Sequence, residues 1–406
     1  MDGVHGGRAS IGSARGCRNI GYRIMTDWLT EGALSLARSI RNREISSTEL
    51  LNLQISRLER VNPVLNGLAV DRFETARAEA RAADEHLARI DGDTQLPPFF
   101  GVPCTIKEFL ACEDMPQTGG LLARKDFISQ EDATVVARLK ASGAIIMGSS
   151  NIPEGGLWME THNLIYGRTK NPWNVRHTPG GSSGGEGALI AAGASPIGLG
   201  SDVGGSIRIP AAFCGIPGHK PTGGLVPNSG HFPSASPTAG RYLVTGPMGR
   251  KVEDLRMLLE VIAGPDEIDH ACYSMDWAMK SPLDLSGLNV FPIPNPGRPR
   301  VRSEVQKVVE EAARGLEAQG ARIIERDFTN ISKGLQIWTA MLSDASDEGY
   351  DMILTDGEAR SMWWELMKAP FGRGRHSYPA ALIGAVEKTS HRFSKRLTKY
   401  IEMGRQ

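Results

Sequence analysis

Cysteine is scarce in this sequence of 406 residues, which has five copies and no C-x-x-C pair among them. They stand at Cys17, Cys104, Cys112, Cys214 and Cys272. An odd number of scattered cysteines argues against a disulfide framework and against a zinc knuckle. The sequence therefore predicts a protein of the reducing cytoplasm that holds no metal.

Long hydrophobic runs are missing as well. The longest stretch of small apolar residues, Ala188 to Gly200, is interrupted by glycines, a serine and Pro196, so no transmembrane segment is predicted. Residues 1–25 begin with a Gly-, Arg- and Ser-rich stretch and lack the apolar core of a secretory signal. We expect them to form a disordered leader. Translation from Met25 is the alternative, since patterned sequence begins at Asp27.

An excess of charge of one sign is also absent, because 46 lysines and arginines balance 46 aspartates and glutamates. This balance gives the chain no electrostatic attraction to nucleic acid or to an anionic membrane. A small-molecule substrate is the partner that fits it, and a homodimer is left open. The length allows one large domain or two of ordinary size, and because no clear linker is present we expect a single domain over residues 26–406.

The order of helix and strand patterns indicates an α/β fold. Ser46 to Glu49 forms a capping box that opens an amphipathic helix, which Asn62-Pro63 is expected to end. Val102 to Ile106 is an apolar run typical of a buried strand, and it delivers Lys107 at its end. Further strands are predicted at Ala144 to Met147 and Pro196 to Gly200, and a short helix at Glu186 to Ala192. Such alternation is typical of α/β domains.

What the sequence has in abundance is glycine and serine between Thr178 and Thr222. G-G-S-S-G-G spans Gly180 to Gly185, and G-G-S spans Gly204 to Ser206. Glycine allows tight turns and lets backbone N–H groups approach a ligand closely. A phosphate-binding loop is disfavoured, because no G-x-x-x-x-G-K-[ST] occurs in the sequence. The remaining chemistry-bearing set is Lys107 with Ser182 and Ser206.

A lysine serves as base to a serine only when its amine is uncharged. Burial lowers a lysine pKa from about 10.4 towards ~7–8, and the end of an apolar strand favours burial of Lys107. The second turn would aim backbone N–H groups at a developing oxyanion. These donors are Val203, Gly204, Gly205 and Ser206. Four histidines near the motifs are expected to lie in loops or behind the site, outside any catalytic triad. They are His162, His177, His219 and His231.

Taken together, the motifs resemble the amidase signature family of serine hydrolases. They are G-V-P-C-T-I-K-E from Gly101, G-G-S-S-G-G from Gly180 and G-G-S-I-R-I-P-A from Gly204, in the order the family has them. The segments G-I-P-G-H-K-P-T from Gly215 and G-H-F-P from Gly230 are similar to the fatty-acid amide hydrolase 2-like branch. The resemblance implies a large mixed β-sheet flanked by helices on both sides, and chemistry without a cofactor or metal.

The resemblance also implies residue roles. Ser206 would be the nucleophile, Lys107 the ultimate base, and Ser182, after a cis peptide bond, the proton shuttle between them. The backbone N–H groups of Val203 to Ser206 would form the oxyanion hole. Supporting positions in the hydrogen-bond network would be Ser183, Asp202 and Arg208.

The function implied is hydrolysis of a carboxylic amide, with an apolar or fatty acyl group, through an acyl-enzyme. Two alternatives stay open at this point: an amidotransferase A-type subunit that acts with a partner, and a catalytically silent binding protein. The second is motivated by length, because family members continue beyond the position matched by the helix near Tyr400 whereas this chain ends at Gln406. We expect a C-terminally truncated amidase domain.

Overall fold

The computed structural model describes residues 28–405, apart from gaps at 92–93, 236–237, 277–283, 298–299, 327, 329–330, 347–348, 359, 372 and 391–393. The predicted leader and Cys17 lie outside the described residues. Two compact units are present. The first comprises Met1–Ser274 and Glu348–Val386, and the second comprises Met275–Asp347 and Glu387–Gln406.

A mixed five-stranded sheet forms the centre of the first unit. The strands of this unit are β1 (Leu68–Asp71), β2 (Pro103–Lys107), β3 (Ile145–Ser150), β4 (His162–Asn163), β5 (Gly167–Arg168), β6 (Ile197–Asp202) and β7 (Val244–Gly249). The large sheet has the order β1-β3-β2-β6-β7, and β4 pairs with β5 separately. β2 runs parallel to both of its neighbours, whereas β1 and β7 are antiparallel to β3 and β6. The predicted α/β class is confirmed.

Helices alternate with these strands along the chain. They are α1 (Ala33–Arg41), α2 (Ser47–Leu65), α3 (Phe73–Arg89), α4 (Thr134–Ala141), α5 (Gly184–Ala191), α6 (Arg208–Cys214), α7 (Val252–Ile262), α8 (Ser303–Glu317), α9 (Gly334–Ala345), α10 (Tyr350–Leu354), α11 (Met362–Lys368), α12 (Tyr378–Ser390) and α13 (Ser394–Arg405). None of the described helices is both long enough and apolar enough to cross a lipid bilayer.

The second unit is smaller. It contains the parallel strand pair β8 (Asn289–Val290) and β9 (Arg322–Ile323), which α8 connects. Helix α9 packs against α13. Strand β8, helix α8 and strand β9 therefore form a β-α-β segment within this unit.

Helix α2 begins as predicted but ends later. The Ser46 hydroxyl accepts a hydrogen bond from the Glu49 N–H at 3.1 Å, and the Ser46 N–H donates to the Glu49 carboxylate at 2.9 Å. The prediction that Asn62-Pro63 ends the helix is wrong, because α2 contains Pro63 and continues to Leu65. A proline removes only its own N–H donor from the last turn. The helix ends at Asn66, which has a left-handed φ of 52°.

One apolar cluster fixes the sheet against its helices. It joins α2 and α3 to β1, β3 and α5 through Leu51, Ile55, Leu58, Leu68, Ala76, Ala80, Ile145, Met147, Leu189 and Ala194. Each large side chain among them that is fully buried stabilises the fold by about 1.5–3 kcal/mol relative to its exposed state. The cluster holds β3 and α5 in place, and β2, which carries Lys107, lies beside β3 in the sheet.

Candidate active site

Lys107 lies at the carboxyl end of β2 and is fully buried. Its Nζ lies 2.6 Å from Ser182 Oγ, 3.0 Å from Ser201 Oγ and 3.3 Å from the Ser201 carbonyl oxygen. Burial lowers the pKa of this amine to about 7, against the opposing effect of the nearby Asp202 and Glu186 charges. The amine is therefore available in its neutral form near neutral pH.

Ser182 follows a cis peptide bond from Gly181, in the turn that leads into α5. Only glycine fits at position 181, because a Cβ there would lie 2.9 Å from the Trp158 carbonyl oxygen. The next residue, Ser183, is fully buried, and its hydroxyl lies 3.3 Å from both the N–H and the carbonyl oxygen of Ser201. The first serine turn is thus fastened to the end of β6.

Asp202 organises the second serine turn. Its buried carboxylate accepts hydrogen bonds from the N–H groups of Gly205 at 2.8 Å, Ile207 at 3.0 Å and Arg208 at 3.3 Å. The Arg208 guanidinium adds two more, at 2.9 and 3.1 Å. Burial alone would raise the pKa of Asp202, but these hydrogen bonds outweigh it and lower the pKa. The carboxylate therefore stays ionised and holds the turn.

Ser206 lies in this second turn and is partly exposed. Its carbonyl oxygen accepts a hydrogen bond from the Ser183 N–H at 3.0 Å, so the two serine turns are in direct contact. Within the described part of the chain, the N–H groups of Val203, Gly204 and Ser206 form no hydrogen bond. The Gly205 N–H differs from these three N–H groups, because it already donates a hydrogen bond to the Asp202 carboxylate. Three free donors therefore remain in the turn.

His231 and Ser201 extend the group of contacts behind Lys107. His231 is buried, with Nε2 2.9 Å from Ser201 Oγ and Nδ1 2.9 Å from the Pro233 carbonyl oxygen. Its ring packs on Phe109 at a centroid distance of 5.6 Å, and Lys107 Nζ lies 4.8 Å from the same phenyl ring. The other three histidines named above form no described hydrogen bond with the lysine or the two serines. Sequence reasoning placed His231 behind the site but identified neither its partner nor a role for Ser201.

Glu186 is a second group that sequence reasoning missed. Its carboxyl is fully buried on α5, and it accepts a hydrogen bond from the Thr105 hydroxyl on β2. Burial raises the pKa of Glu186 to about 7, against the opposing effects of this hydrogen bond and of the Lys107 charge. The available signal was a single acidic residue within an otherwise small and apolar helix, G-G-E-G-A-L-I-A.

Apolar side chains lie beside the first turn, around Gly155 and Gly156. A Cβ on Gly156 would lie 4.0 Å from Ser182 Oγ, and one on Gly155 would contact Leu157 and the α10 residues Ile353 and Leu354 at 3.5–3.6 Å. The preceding residue, Glu154, anchors this loop to the chain near α12. Its carboxylate contacts His376 Nδ1 at 2.6 Å and accepts the Ser377 N–H at 2.8 Å. In the described residues, no group of three His, Cys, Asp or Glu side chains is suited to hold a metal ion.

This chain is similar to known proteins along most of its length. The sequence matches the family described as Amidase over residues 49–403. It is 39% identical to fatty-acid amide hydrolase 2-B of Danio rerio over 381 residues, which cover 89% of this chain and 70% of that protein. The A-type subunit of a glutamyl-tRNA(Gln) amidotransferase from Roseiflexus castenholzii is 38% identical over 73% of this chain and 59% of its own. A solved structure titled fatty acid amide hydrolase superimposes with a TM-score of 0.73 at 25% identity, over 94% of this chain and 67% of that one. The predicted domain bounds of 26 and 406 stay predictions.

Proposed function

Because this chain belongs to the amidase signature family, in its fatty-acid amide hydrolase 2-like branch, and hydrolyses amide bonds, we propose that its acyl-enzyme forms on Ser206 and that its substrates carry apolar acyl groups. The observation that carries the proposal is the position of the buried Lys107 amine, 2.6 Å from Ser182 Oγ. The turn that contains Ser182 is hydrogen-bonded to the turn that contains Ser206, through the Ser183 N–H and the Ser206 carbonyl oxygen.

Acylation begins with a proton relay. Ser206 Oγ attacks the amide carbonyl carbon while its proton passes to Ser182 Oγ, and the Ser182 proton passes to the neutral amine of Lys107. A pKa of about 7 supports this role, since a large fraction of the lysine is then unprotonated at neutral pH. The tetrahedral intermediate then carries one negative charge on the former carbonyl oxygen.

That oxyanion is stabilised by backbone N–H groups of the second turn. The free donors of Val203, Gly204 and Ser206 support this assignment. We assign Gly205, the fourth donor expected from the sequence, a different task, because its N–H is directed to Asp202 at 2.8 Å. A well-placed donor of this kind contributes about 3–4 kcal/mol to the transition state.

Collapse of the intermediate reverses the relay. Ser182 donates its proton to the leaving nitrogen and regains one from the Lys107 ammonium, so the C–N bond breaks and the amine departs. Water then attacks the acyl-enzyme with the same two residues as base, which releases the carboxylic acid and restores Ser206. Ser183, Asp202 and Arg208 hold the two turns and take no proton.

An apolar acyl group is supported by the surroundings of the first turn. Leu157, Ile353 and Leu354 lie next to Gly155, and the neighbouring Gly156 adjoins Ser182. Leu354 and Leu157 belong to an apolar cluster that also contains the buried Leu121 and Met362. Burial of each acyl methylene against such side chains contributes about 0.8 kcal/mol.

The test combines covalent labelling with a graded amide panel. We expect a fluorophosphonate probe to label the wild-type protein and not Ser206→Ala, and we expect kcat/KM to rise with acyl length in straight-chain amides. Labelling that persists in Ser206→Ala contradicts the assigned nucleophile. A preference for acetamide over longer amides contradicts the apolar acyl group while leaving the nucleophile intact.

The amidotransferase alternative is distinguished by the partner requirement. This alternative is retained because the chain is similar to the A-type subunit of an amidotransferase. In that role the chain would pass ammonia to a partner, so release of ammonia or amine by the purified chain alone, lost in Ser206→Ala, excludes it. The same result excludes a catalytically silent binding protein.

We also propose a cytoplasmic location and retain a homodimer as a prediction. Cys104, Cys112, Cys214 and Cys272 are unpaired, which fits a reducing compartment. Cell fractionation tests the location, and light scattering of the purified chain gives its oligomeric state.

A further inference from the structure

We infer that His231 is a positioning residue that sets, through Ser201, the direction of each hydrogen bond around the amine of Lys107. The inference rests on the proposed role of Lys107 as base. It concerns a residue that touches neither the proposed nucleophile nor the shuttle. The hydrogen bonds concerned form a chain from the Pro233 carbonyl oxygen through His231 and Ser201 to the Lys107 amine.

The Pro233 carbonyl oxygen fixes the tautomer of His231. A carbonyl oxygen can only accept a hydrogen bond, so the Nδ1 atom 2.9 Å away must carry the ring proton. In a neutral ring Nε2 is then an acceptor, and the Ser201 hydroxyl 2.9 Å from it must donate. Burial lowers the pKa of His231 to about 4, which keeps the ring neutral.

Once the Ser201 hydroxyl donates to His231, its oxygen faces Lys107 as an acceptor. Lys107 Nζ lies 3.0 Å from that oxygen and 3.3 Å from the Ser201 carbonyl oxygen, which also only accepts. A neutral amine has two N–H bonds and one lone pair. Both N–H bonds are therefore directed at Ser201, and the lone pair is left for Ser182 Oγ at 2.6 Å.

Ser182 must then donate to Lys107, which leaves its oxygen lone pairs open to receive a proton. This is the direction that the acylation step requires. The Phe109 ring packs against both Lys107 Nζ and the His231 ring, which holds the two side chains in place. One imidazole thus determines which way the relay runs.

Loss of the imidazole acceptor removes that constraint. The Ser201 hydroxyl can then rotate and donate to the lysine lone pair, where it competes with Ser182. Substrate contacts are unaffected, because His231 lies behind the lysine. The expected consequence is slower acylation with unchanged substrate binding.

The kinetic experiment uses five variants of the full chain. We expect His231→Leu to lower kcat on the order of 10- to 100-fold with KM unchanged, a part of the ~10²–10⁴-fold that a positioned base contributes. His231→Gln, whose amide oxygen can accept from Ser201, recovers most of the loss. His219→Leu, at an exposed histidine outside the group, serves as the control for loss of an imidazole and retains wild-type kcat.

The last two variants are Ser201→Ala and, built on it, the double change Ser201→Ala with His231→Leu. Without the hydroxyl there is no competing donor, so the kcat of the double variant should equal that of Ser201→Ala alone. A double variant slower than Ser201→Ala by the full His231→Leu factor would overturn the inference, since histidine would then act by another route.

A measurement on the unaltered protein makes the inference independent of variant folding. With ¹⁵N-labelled histidine, NMR should assign His231 a protonated Nδ1 and an unprotonated Nε2 between pH 6 and 8. The opposite tautomer overturns the inference. An active Ser206→Ala would instead refute the proposed function, whatever the tautomer of His231.

Discussion

Glu186 fills the space that a side chain at position 198 would need: a Cβ on Gly198 would overlap Glu186 Oε1 and lie 2.8 Å from the Thr105 carbonyl oxygen. The carboxyl reaches across β6 from α5 to meet Thr105 on β2. Glycine in the middle of a strand normally weakens it. Here Gly198 leaves room for the buried Glu186 carboxyl beside β2, the strand that carries Lys107.

Gly198→Ala is therefore expected to destabilise the protein by about 2–4 kcal/mol, because neither the backbone of β2 nor the carboxyl can move away easily. Urea denaturation measures the change. Gly315→Ala is the matched control, since a Cβ there meets nothing within 4 Å in helix α8, and it should stabilise by about 1 kcal/mol. Equal effects of the two substitutions would refute the steric argument.

The buried acid should also make stability depend on pH. The pKa of Glu186 is about 7 in the folded state, against an ordinary value of 4.5. Between these values the unfolded chain loses its proton while the folded chain keeps it, so this group lowers stability as pH rises from 4.5 to 7. We expect Glu186→Gln to gain up to about 3 kcal/mol on the wild type between pH 4 and pH 8.

Urea denaturation of both proteins at several pH values tests this. Glu108 also has a pKa raised to about 7 by burial, but it is present in both proteins and cancels in the difference. A stability difference that stays constant with pH would show that Glu186 does not titrate in this range.

Activity should rise with pH through the titration of Lys107. Burial lowers its pKa to about 7, so kcat/KM for an amide should increase as the ammonium deprotonates and level off above pH 8. Glu186→Gln removes a charge that opposes this lowering, which should shift the rise to lower pH. Lys107→Ala should lose about 10²- to 10⁴-fold in kcat/KM and the pH dependence with it. A rise near pH 7 that survives in Lys107→Ala belongs to another group.

Asp202 should matter for turnover although it takes no proton, because it holds the turn that carries Ser206. Asp202→Asn replaces an acceptor of five hydrogen bonds, so the second turn shifts, and a displacement of this kind lowers kcat by about 10²-fold. Asp254→Asn is the matched control. Its carboxylate accepts the N–H groups of Ala33 and Leu34, both at 2.9 Å, at the start of α1. We expect it to lose stability but retain kcat, and equal kcat losses would argue that both act through folding alone.

The local elements of the site were predictable because their signals are local. The apolar run before Lys107 predicted β2 to within one residue at each end, and the Ser46 to Glu49 pattern predicted the start of α2. Strand β7, by contrast, was not predicted, since V-T-G-P-M-G contains two glycines and a proline. It forms because β7 lies at an edge of the sheet, where the missing N–H of Pro247 leaves no broken ladder bond.

The contacts behind the base were not predictable from a single sequence. His231 meets Ser201 across 30 positions of chain, and nothing near either residue indicates the other. In the sequence Glu186 is a single acid within an apolar helix, and only the structure shows that Gly198 leaves space for its carboxyl. The serine turns could be located by composition, whereas the division of their N–H groups between Asp202 and free donors depends on geometry alone.

The position of β2 has a consequence for heat inactivation. This strand is the third of five, with β3 and β6 on its two sides, so fraying at either sheet edge leaves Lys107 where it is. The amine should become accessible to modification only when the whole unit opens. Reaction of Lys107 with an amine-selective reagent should therefore follow the global unfolding curve, whereas the partly exposed Ser206 turn should become mobile at lower temperature.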